Sequence, residues 1–188
     1  ERIDERCVLC APGRVQPEIG DLSCTLCPSG SFANPGEHVC QCMPGYSGNG
    51  NDTECSQCQV DTYKDKRGVG NCTFCPSDSS TLQSPLPYDD ISKCLCRPGF
   101  IGNVDECSPT AGADCLACHP ASVGFYKSTY GDFNEIVCPN LQTTISQNST
   151  ALSDCICVIG HEDSGDDSDT CVSCNAGEKK PYIGNGQC

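Results

Sequence analysis

The chain has few of the residues from which most soluble domains build a hydrophobic core. It contains no Trp, one Met and five Phe in 188 residues, and only 11 Lys and Arg stand against 25 Asp and Glu. So few large apolar side chains cannot offset the entropy lost on folding by burial alone. The excess of negative charge disfavours nucleic acid and anionic membrane surfaces as partners, because both require a basic patch.

Signals for membrane insertion and for catalysis are also missing. No run approaches the roughly 18 apolar residues that cross a bilayer, and the chain starts at Glu1 with neither Met nor an apolar leader. We therefore interpret the sequence as an excised or processed piece. His38, His119 and His161 are far apart in sequence and have no Ser and acid arrangement around them. They are interpreted as solvated loop residues, and the chain is not expected to be an enzyme.

Cysteine, in contrast, is abundant. The chain contains 21 cysteines, which is the level of a disulfide scaffold. A bridge that closes a loop of about 15 residues stabilises a chain by roughly 3 kcal/mol, so disulfides can replace the missing core. Such bridges persist only in oxidising compartments. This predicts a location outside the cell or at its surface, reached through the secretory pathway.

Three N-glycosylation sequons agree with that location. They begin at Asn51, Asn71 and Asn148, and N-glycans are the predicted modification. Asn71 is the weakest of the three, because the middle residue of its sequon is Cys72, which a disulfide is expected to use.

The cysteines recur in the pattern C-x2-C, C-x2-C-P and C-x-C, followed by Pro, Gly and an aromatic residue. The first copy ends in Pro44-Gly45-Tyr46 and the second in Pro98-Gly99-Phe100. The third copy is atypical, because Glu135 stands where the alignment expects a cysteine. The fourth is incomplete. The predicted repeats are 1–54, 55–114, 115–170 and 171–188.

This pattern resembles the ephrin-receptor-like cysteine-rich repeat, a relative of EGF-like and tumour-necrosis-factor-receptor-like modules. Tyr63-Lys64 and Tyr126-Lys127 fall where that family has an aromatic-Lys pair, whereas Asp61 departs from the usual Gly. The resemblance implies small disulfide-rich modules, mostly irregular with short β-hairpins, in a tandem elongated array. Many such copies in one chain usually serve spacing, adhesion or assembly.

The one irregular copy suggests a disulfide pairing, since a lost cysteine leaves its partner without a bond unless another cysteine appears. Closing consecutive loops pairs Cys96 with Cys115 and lets Cys107 take the orphaned Cys118. An alternative pairs Cys96 with Cys107 and Cys115 with Cys118. Cys7 is left over, which predicts a preceding copy. The other predicted bonds are Cys10–Cys24, Cys27–Cys40, Cys42–Cys55, Cys58–Cys72, Cys75–Cys94, Cys138–Cys155, Cys157–Cys171 and Cys174–Cys188.

Two metal sites remain as alternatives. The pairs Cys7-x2-Cys10 and Cys24-x2-Cys27 have the spacing of a tetrahedral zinc site, although the interposed C-x-C pairs and the sequons argue against it.

Calcium is the better candidate. Asn103, Asp105 and Glu106, directly before Cys107, resemble the opening of a calcium-binding EGF-like module with hard oxygen ligands. No other cofactor is expected. The acidic segment 162–169 is interpreted as a solvated loop.

The sequence therefore predicts a non-catalytic structural or assembly segment. We expect a stiff, disulfide-stapled repeat spacer of a larger surface, matrix or filament glycoprotein. Its partners would be proteins, namely other copies or neighbouring segments of the same assembly. The alternative is the ligand-binding ectodomain of a cell-surface receptor. A candidate partner-facing patch is the aromatic cluster Phe125, Tyr126, Tyr130 and Phe133.

Overall fold

The computed structural model describes residues 2–3, 6–16, 18, 23–50, 54–102, 118–131, 134–165 and 170–188. Within these ranges the chain forms short antiparallel hairpins joined by turns, and its helical content is two 3₁₀ turns, Ile91–Lys93 and Leu152–Asp154. None of the helices described there is long and apolar enough to cross a bilayer. The predicted fold of small disulfide-rich modules with short hairpins is confirmed.

The described strands have two or three residues each. The first ten are β1 Arg2–Ile3, β2 Arg6–Cys7, β3 Arg14–Val15, β4 Thr25–Leu26, β5 Ser31–Phe32, β6 Gln41–Cys42, β7 Tyr46–Ser47, β8 Ser56–Gln57, β9 Thr62–Tyr63 and β10 Thr73–Phe74. The others are β11 Ser79–Ser80, β12 Leu95–Cys96, β13 Phe100–Gly102, β14 Cys118–Pro120, β15 Phe125–Tyr126, β16 Ile136–Val137, β17 Gln142–Thr143, β18 Ile156–Cys157, β19 His161–Asp163 and β20 Cys171–Ser173.

The chain divides into two compact units, Glu1–Cys75 with Ser80–Cys94, and Pro76–Ser79 with Leu95–Cys188. The first unit has a small apolar cluster of Val15, Ala33 and Cys40, with Cys27 packed against it. Among the described residues of the second unit, the buried apolar ones are Ala121 and cysteines. Two-stranded hairpins of this length are not stable alone, so covalent bonds take the place of a core in both units.

Each described disulfide joins cysteines whose Cα atoms are 5.6–5.8 Å apart, which is ordinary disulfide geometry. Eight of them have the pairing expected from closing consecutive loops, and the ninth, Cys96–Cys118, does not. Cys107, Cys115 and the side chain of Cys7 lie outside the described residues. The eight are Cys10–Cys24, Cys27–Cys40, Cys42–Cys55, Cys58–Cys72, Cys75–Cys94, Cys138–Cys155, Cys157–Cys171 and Cys174–Cys188.

The backbone shows how the third copy corresponds to the second. The N–H of Cys58 donates to the carbonyl of Gly45 at 2.8 Å, and the N–H of Ala121 donates to the carbonyl of Gly99 at 2.8 Å. Both glycines follow Pro and have a positive φ, 80° and 82°, as the second central residue of a type II turn requires. Ala121 therefore occupies the position of Cys58.

Cys118 in turn corresponds to Cys55, three residues before that position. Because Cys55 bonds Cys42, its counterpart Cys118 bonds Cys96 and leaves Cys115 outside the repeat pattern. Alignment by cysteine spacing alone matched Cys118 to Cys58, the second cysteine of the C-x2-C pair. The structure matches it to Cys55, the first cysteine of that pair. The structure thus corrects four predicted bonds, namely Cys96–Cys115, Cys107–Cys118, Cys96–Cys107 and Cys115–Cys118.

The third copy lacks both cysteines of the disulfide that corresponds to Cys58–Cys72, and Ala121 and Glu135 stand in their place. Glu135 follows Ala121 by the same 14 residues that separate the two bonded cysteines. A carboxylate oxygen of Glu135 accepts a hydrogen bond from the N–H of Ser122 at 2.7 Å. The loop is therefore still closed near its base, by a hydrogen bond instead of a disulfide.

Candidate functional site at the junctions between copies

Consecutive copies meet at junctions that we define by three parts. These are a turn with Gly at positive φ, a disulfide from the C-x-C pair into the next copy, and a lysine of that next copy. Junction 1 lies in the first compact unit, and junctions 2 and 3 lie in the second. Their parts are Gly45, Cys42–Cys55 and Lys64; Gly99, Cys96–Cys118 and Lys127; and Gly160, Cys157–Cys171 and Lys180.

The three junction lysines are buried. Lys64, Lys127 and Lys180 are 7%, 1% and 2% exposed, although lysine is almost never fully buried without a partner. Lys64 directly follows β9 and Lys127 directly follows β15. The first hairpin of the second and third copies thus has a buried lysine directly after its first strand.

In junction 1 the lysine connects two copies through both its side chain and its backbone. Its ammonium group donates to the carbonyls of Tyr46 at 2.9 Å and Gly68 at 2.6 Å. Its own carbonyl accepts from the N–H of Gly45 at 2.8 Å, and the N–H of Gly68 donates to Cys42 at 2.9 Å. Burial lowers the pKa of Lys64 below its usual value, because desolvation disfavours the charged form.

Junction 2 repeats this pattern. The Lys127 ammonium donates to the carbonyls of Gly131 at 2.8 Å and Cys96 at 3.4 Å. The N–H of Gly99 donates to the Lys127 carbonyl at 2.8 Å, and the N–H of Gly131 donates to Cys96 at 3.0 Å. The N–H of Lys127 donates to the carbonyl of Ser149 at 3.0 Å, so a later segment of the third copy also joins this junction.

Junction 3 has the same arrangement without a Pro before its turn glycine. The Lys180 ammonium donates to the carbonyl of His161 at 2.6 Å and to that of Gly184. The N–H of Gly160 donates to the Lys180 carbonyl at 3.0 Å, and the N–H of Gly184 donates to Cys157 at 2.9 Å. The three junctions thus share their backbone hydrogen bonds and the glycine carbonyl that accepts from the ammonium group. The carbonyl of the preceding copy is at the same position in junctions 1 and 3 and at a different one, Cys96, in junction 2.

This geometry gives each lysine a mechanical role. An ammonium group has three donors and no acceptor, so a set of inward-facing carbonyl oxygens satisfies it. Burying a charged group without such partners is strongly unfavourable. The glycine carbonyl belongs to the same copy as the lysine, whereas the other carbonyl belongs to the copy before it. Separating the copies would therefore break the hydrogen bond between the ammonium group and the carbonyl of the preceding copy. We call this arrangement the lysine clasp.

The corresponding position in the second hairpin of each copy holds a smaller side chain. Ala33, Thr81 and Thr144 are all at most 1% exposed. The Thr81 hydroxyl accepts from the N–H of Asp61 at 2.9 Å, and the Thr144 hydroxyl accepts from the N–H of Gly124 at 3.0 Å. The buried residue after the first strand of the second hairpin is thus short, whereas the corresponding residue of the first hairpin is a lysine at Lys64 and Lys127.

Junction 1 has an additional ion pair. Arg67 of the second copy donates to a carboxylate oxygen of Glu37 and to the carbonyl of Phe32 at 2.9 Å, and its guanidinium lies 5.7 Å from the centre of the Phe32 ring. The N–H of Asn34 also donates to Glu37 at 2.8 Å. That backbone hydrogen bond, together with Arg67, lowers the pKa of Glu37.

The predicted glycosylation and calcium sites are only partly described. Asn71 and Asn148 are exposed, as an N-glycan acceptor requires. The glycosylation candidate Asn51 and the calcium candidates Asn103, Asp105 and Glu106 lie outside the described residues, as do residues 166–169 of the acidic segment.

The zinc alternative is wrong. Cys10, Cys24 and Cys27 are in disulfides, so they supply no thiolate ligands. Within the part of the chain that the structure describes, no three His, Cys, Asp or Glu side chains are placed to hold a metal ion.

The aromatic residues of the third copy are partly buried where the structure describes them. Phe125 and Tyr126 constitute β15 and, like Tyr130, are half-buried. Phe133 lies outside the described residues. Tyr126 precedes Lys127 as Tyr63 precedes Lys64, so the aromatic pair belongs to the junction hairpin.

Comparisons with known proteins agree with this architecture. Residues 2–37 and 45–85 match the family described as tyrosine-protein kinase ephrin type A/B receptor-like. The chain is 32% identical over 190 residues to cysteine repeat modular protein A of Toxoplasma gondii, covering 91% of the chain. It is 30% identical over 156 residues to the mouse sushi, von Willebrand factor type A, EGF and pentraxin domain-containing protein 1, covering 79% of the chain.

A shorter match, 34% identical over 73 residues and 39% of the chain, is to ephrin type-B receptor 3 of Xenopus laevis. The chain spans only 6%, 4% and 7% of the lengths of these three relatives. Relatives of these kinds, together with the density of disulfides, place the chain outside the cell or at its surface.

Proposed function

We propose that this segment of ephrin-receptor-like cysteine-rich repeats is a non-catalytic, stiff spacer within a larger extracellular surface, matrix or filament glycoprotein. The observation that carries the proposal is the lysine clasp, which recurs at Lys64, Lys127 and Lys180: each ammonium group donates to the carbonyl of a glycine four residues later and to a carbonyl of the preceding copy. A spacer needs a fixed geometry from copy to copy more than it needs a pocket.

Stiffness follows from how each junction is connected. Modules on flexible linkers move independently, because few contacts cross between them. Here a disulfide, backbone hydrogen bonds and a buried ammonium group cross the same boundary, as in Cys157–Cys171 and Lys180. The partners we propose are other proteins, namely copies or neighbouring segments of the same assembly. The repeat boundaries 1–54, 55–114, 115–170 and 171–188 stay a prediction.

Distance measurement across junction 3 tests the proposal. Spin labels are attached to an unnatural ketone amino acid at exposed Val137 and Ala176, so that no cysteine is added. We expect a narrow distance distribution in the unsubstituted chain and a broad one in Lys180→Met. Lys179→Met, at the exposed neighbouring lysine, is the matched control and should leave the distribution narrow. A broad distribution in the unsubstituted chain would rule out a stiff spacer.

The match to an ephrin type-B receptor favours a second candidate, the ligand-binding ectodomain of a cell-surface receptor. The full-length sequence separates the two. A few copies followed by one apolar stretch of about 20 residues would support a receptor. Many further copies without such a stretch would support the spacer.

A further inference from the structure

The sequon at Asn148 lies within junction 2. Its side chain is exposed and its backbone has a φ of 67°. The N–H of Asn148 donates to the carbonyl of Ala121 at 3.2 Å, and the carbonyl of Ser149 accepts from Lys127. The backbone of the sequon is therefore held against the junction, while the asparagine amide points to solvent.

The segment at the same place in junction 1 is Pro87-Tyr88. The N–H of Lys64 donates to the carbonyl of Tyr88 at 3.0 Å, as Lys127 donates to Ser149. A Cβ on Gly45 would lie 2.7 Å from Pro87, so this segment packs directly on the turn. Tyr88 is 6% exposed, so this segment contributes a large buried side chain.

In junction 2 the corresponding segment, Asn148-Ser149, has no large buried side chain. A Cβ on Gly99 would lie 2.7 Å from the Asn148 carbonyl oxygen, so the backbone of that segment packs on the turn in the same way. Its side chains, however, are small: the exposed amide of Asn148 and the hydroxyl of Ser149, followed by Thr150, whose methyl carbon would lie 3.3 Å from the same Cβ. Ile145, three residues before Asn148, is 77% exposed, a large apolar side chain left next to the sequon.

A groove of about 440 Å³ lies beside this segment, a size within the range of sites for small organic ligands. Its lining combines hydroxyl, amide and carboxylate groups with two isoleucines, which suits the polar edges and apolar face of a sugar ring. The lining residues are Ile145, Ser146, Gln147, Asn148, Ser149, Ser153, Asp154 and Ile156.

We propose that Asn148 carries an N-linked oligosaccharide whose first N-acetylglucosamine lies in this groove and covers Ile145. The donor is an oligosaccharide on a lipid pyrophosphate of the secretory pathway. The Asn148 amide nitrogen bonds the anomeric carbon, the bond from that carbon to the pyrophosphate oxygen breaks with its electron pair on the pyrophosphate, and the amide loses one proton. The inference rests on the extracellular location, not on the spacer role.

The test uses the chain secreted from cells that make only high-mannose glycans, with Asn51→Gln and Asn71→Gln so that one sequon remains. Three forms are compared: the full glycan, the glycan trimmed by endoglycosidase to one N-acetylglucosamine, and the unglycosylated Thr150→Ala variant, which retains Asn148. Hydrogen exchange is measured at the N–H of Lys127. We expect the first two forms to exchange alike and the third roughly five-fold faster or more. Ile145→Ser should reduce that difference.

Peptide mass spectrometry of the secreted chain reports occupancy directly. An unmodified Asn148 would overturn the proposal. If the single-sugar form exchanged as fast as Thr150→Ala, the contact in the groove would be refuted. Asn148→Gln is the control, because it removes the glycan acceptor and keeps Thr150. Its exchange rate at Lys127 must equal that of Thr150→Ala. Different rates in the two variants would assign the effect to the substitution and not to the loss of the sugar. The spin-label measurement at junction 3 is independent of every one of these outcomes.

Discussion

The contribution of a single clasp can be measured at Lys64, which has an exposed lysine two residues away. Lys64→Met keeps an unbranched apolar stem but removes the donors to Tyr46 and Gly68. Leaving buried carbonyls unpaired costs about 1–3 kcal/mol, so the variant should unfold at a lower urea concentration with its disulfides intact. Lys66→Met, at the exposed position, should behave like the unsubstituted chain. Equal midpoints for both variants would show that the clasp contributes no stability.

The ion pair of junction 1 should make its stability depend on pH. The pKa of Glu37 is lowered by the Asn34 backbone hydrogen bond and by Arg67. A carboxyl group with a lowered pKa stabilises the fold above its usual value of 4.5, and this stabilisation is lost as the pH falls through the lowered value. The loss of stability between pH 7 and pH 3 should therefore be smaller in Glu37→Gln, as measured by thermal unfolding. Identical losses in both chains would contradict this.

At the scale of one hairpin, the structure predicts that a missing disulfide can be restored. Ala121 and Glu135 occupy the positions of Cys58 and Cys72, whose Cα atoms are 5.8 Å apart. Ala121→Cys with Glu135→Cys should form a bond and add about 3 kcal/mol, the value for a loop of about 15 residues. Non-reducing peptide mapping detects the bond, and urea unfolding measures the gain. Two free thiols beside otherwise intact bonds would disprove the correspondence between the copies.

The corrected position of Cys118 also predicts a bond outside the described residues. The described disulfides use every cysteine of the chain except Cys7, Cys107 and Cys115. Cys107 and Cys115 are eight residues apart in sequence, a short loop that a disulfide can close. We expect mass spectrometry of the unreduced chain to find them in one crosslinked peptide. A peptide that joins Cys107 to Cys7 would refute this pairing.

The sequence predicted the hairpins and most bonds because cysteine spacing determines loop length directly. It failed at Cys118, because Cys115-x2-Cys118 has the same spacing as the true pair Cys55-x2-Cys58. The disulfide Cys96–Cys118 and the backbone hydrogen bond of Ala121 show which cysteine begins the repeat pattern. The burial of Lys180 was also missed, since lysine in a polar, acidic chain suggests an exposed side chain.

One signal for the clasps was nevertheless in the sequence. Lys64 follows Cys58 by six residues and Lys180 follows Cys174 by six. A residue type that recurs at a constant distance from a structural cysteine indicates a constant environment. Burial itself could not be predicted, because one of the carbonyls at each ammonium group comes from the preceding copy.

For the molecule as a whole, the disulfides and the clasps have separate roles. The apolar cluster of Val15, Ala33 and Cys40 is too small to hold a unit together, so the disulfides supply the stability that burial supplies elsewhere. The clasps satisfy backbone carbonyls at the boundaries between copies. A repeat chain built in this way can vary most of its surface residues without losing its fold, which suits a spacer whose copies differ in sequence.

Reduction should therefore unfold the whole molecule. Without its crosslinks the chain regains the loop entropy that the bonds removed, and its few apolar contacts cannot compensate for it. After reduction and alkylation at neutral pH, we expect the amides of Gly45, Gly99 and Gly160 to lose their protection from hydrogen exchange, although each is hydrogen-bonded to a clasp lysine in the native chain. A sample treated with the alkylating reagent alone controls for modification of free thiols. Amides that stayed protected at any junction after complete reduction would show that the clasp there folds without its disulfide. The stability of that junction would then come from the buried lysine and not from the covalent bonds.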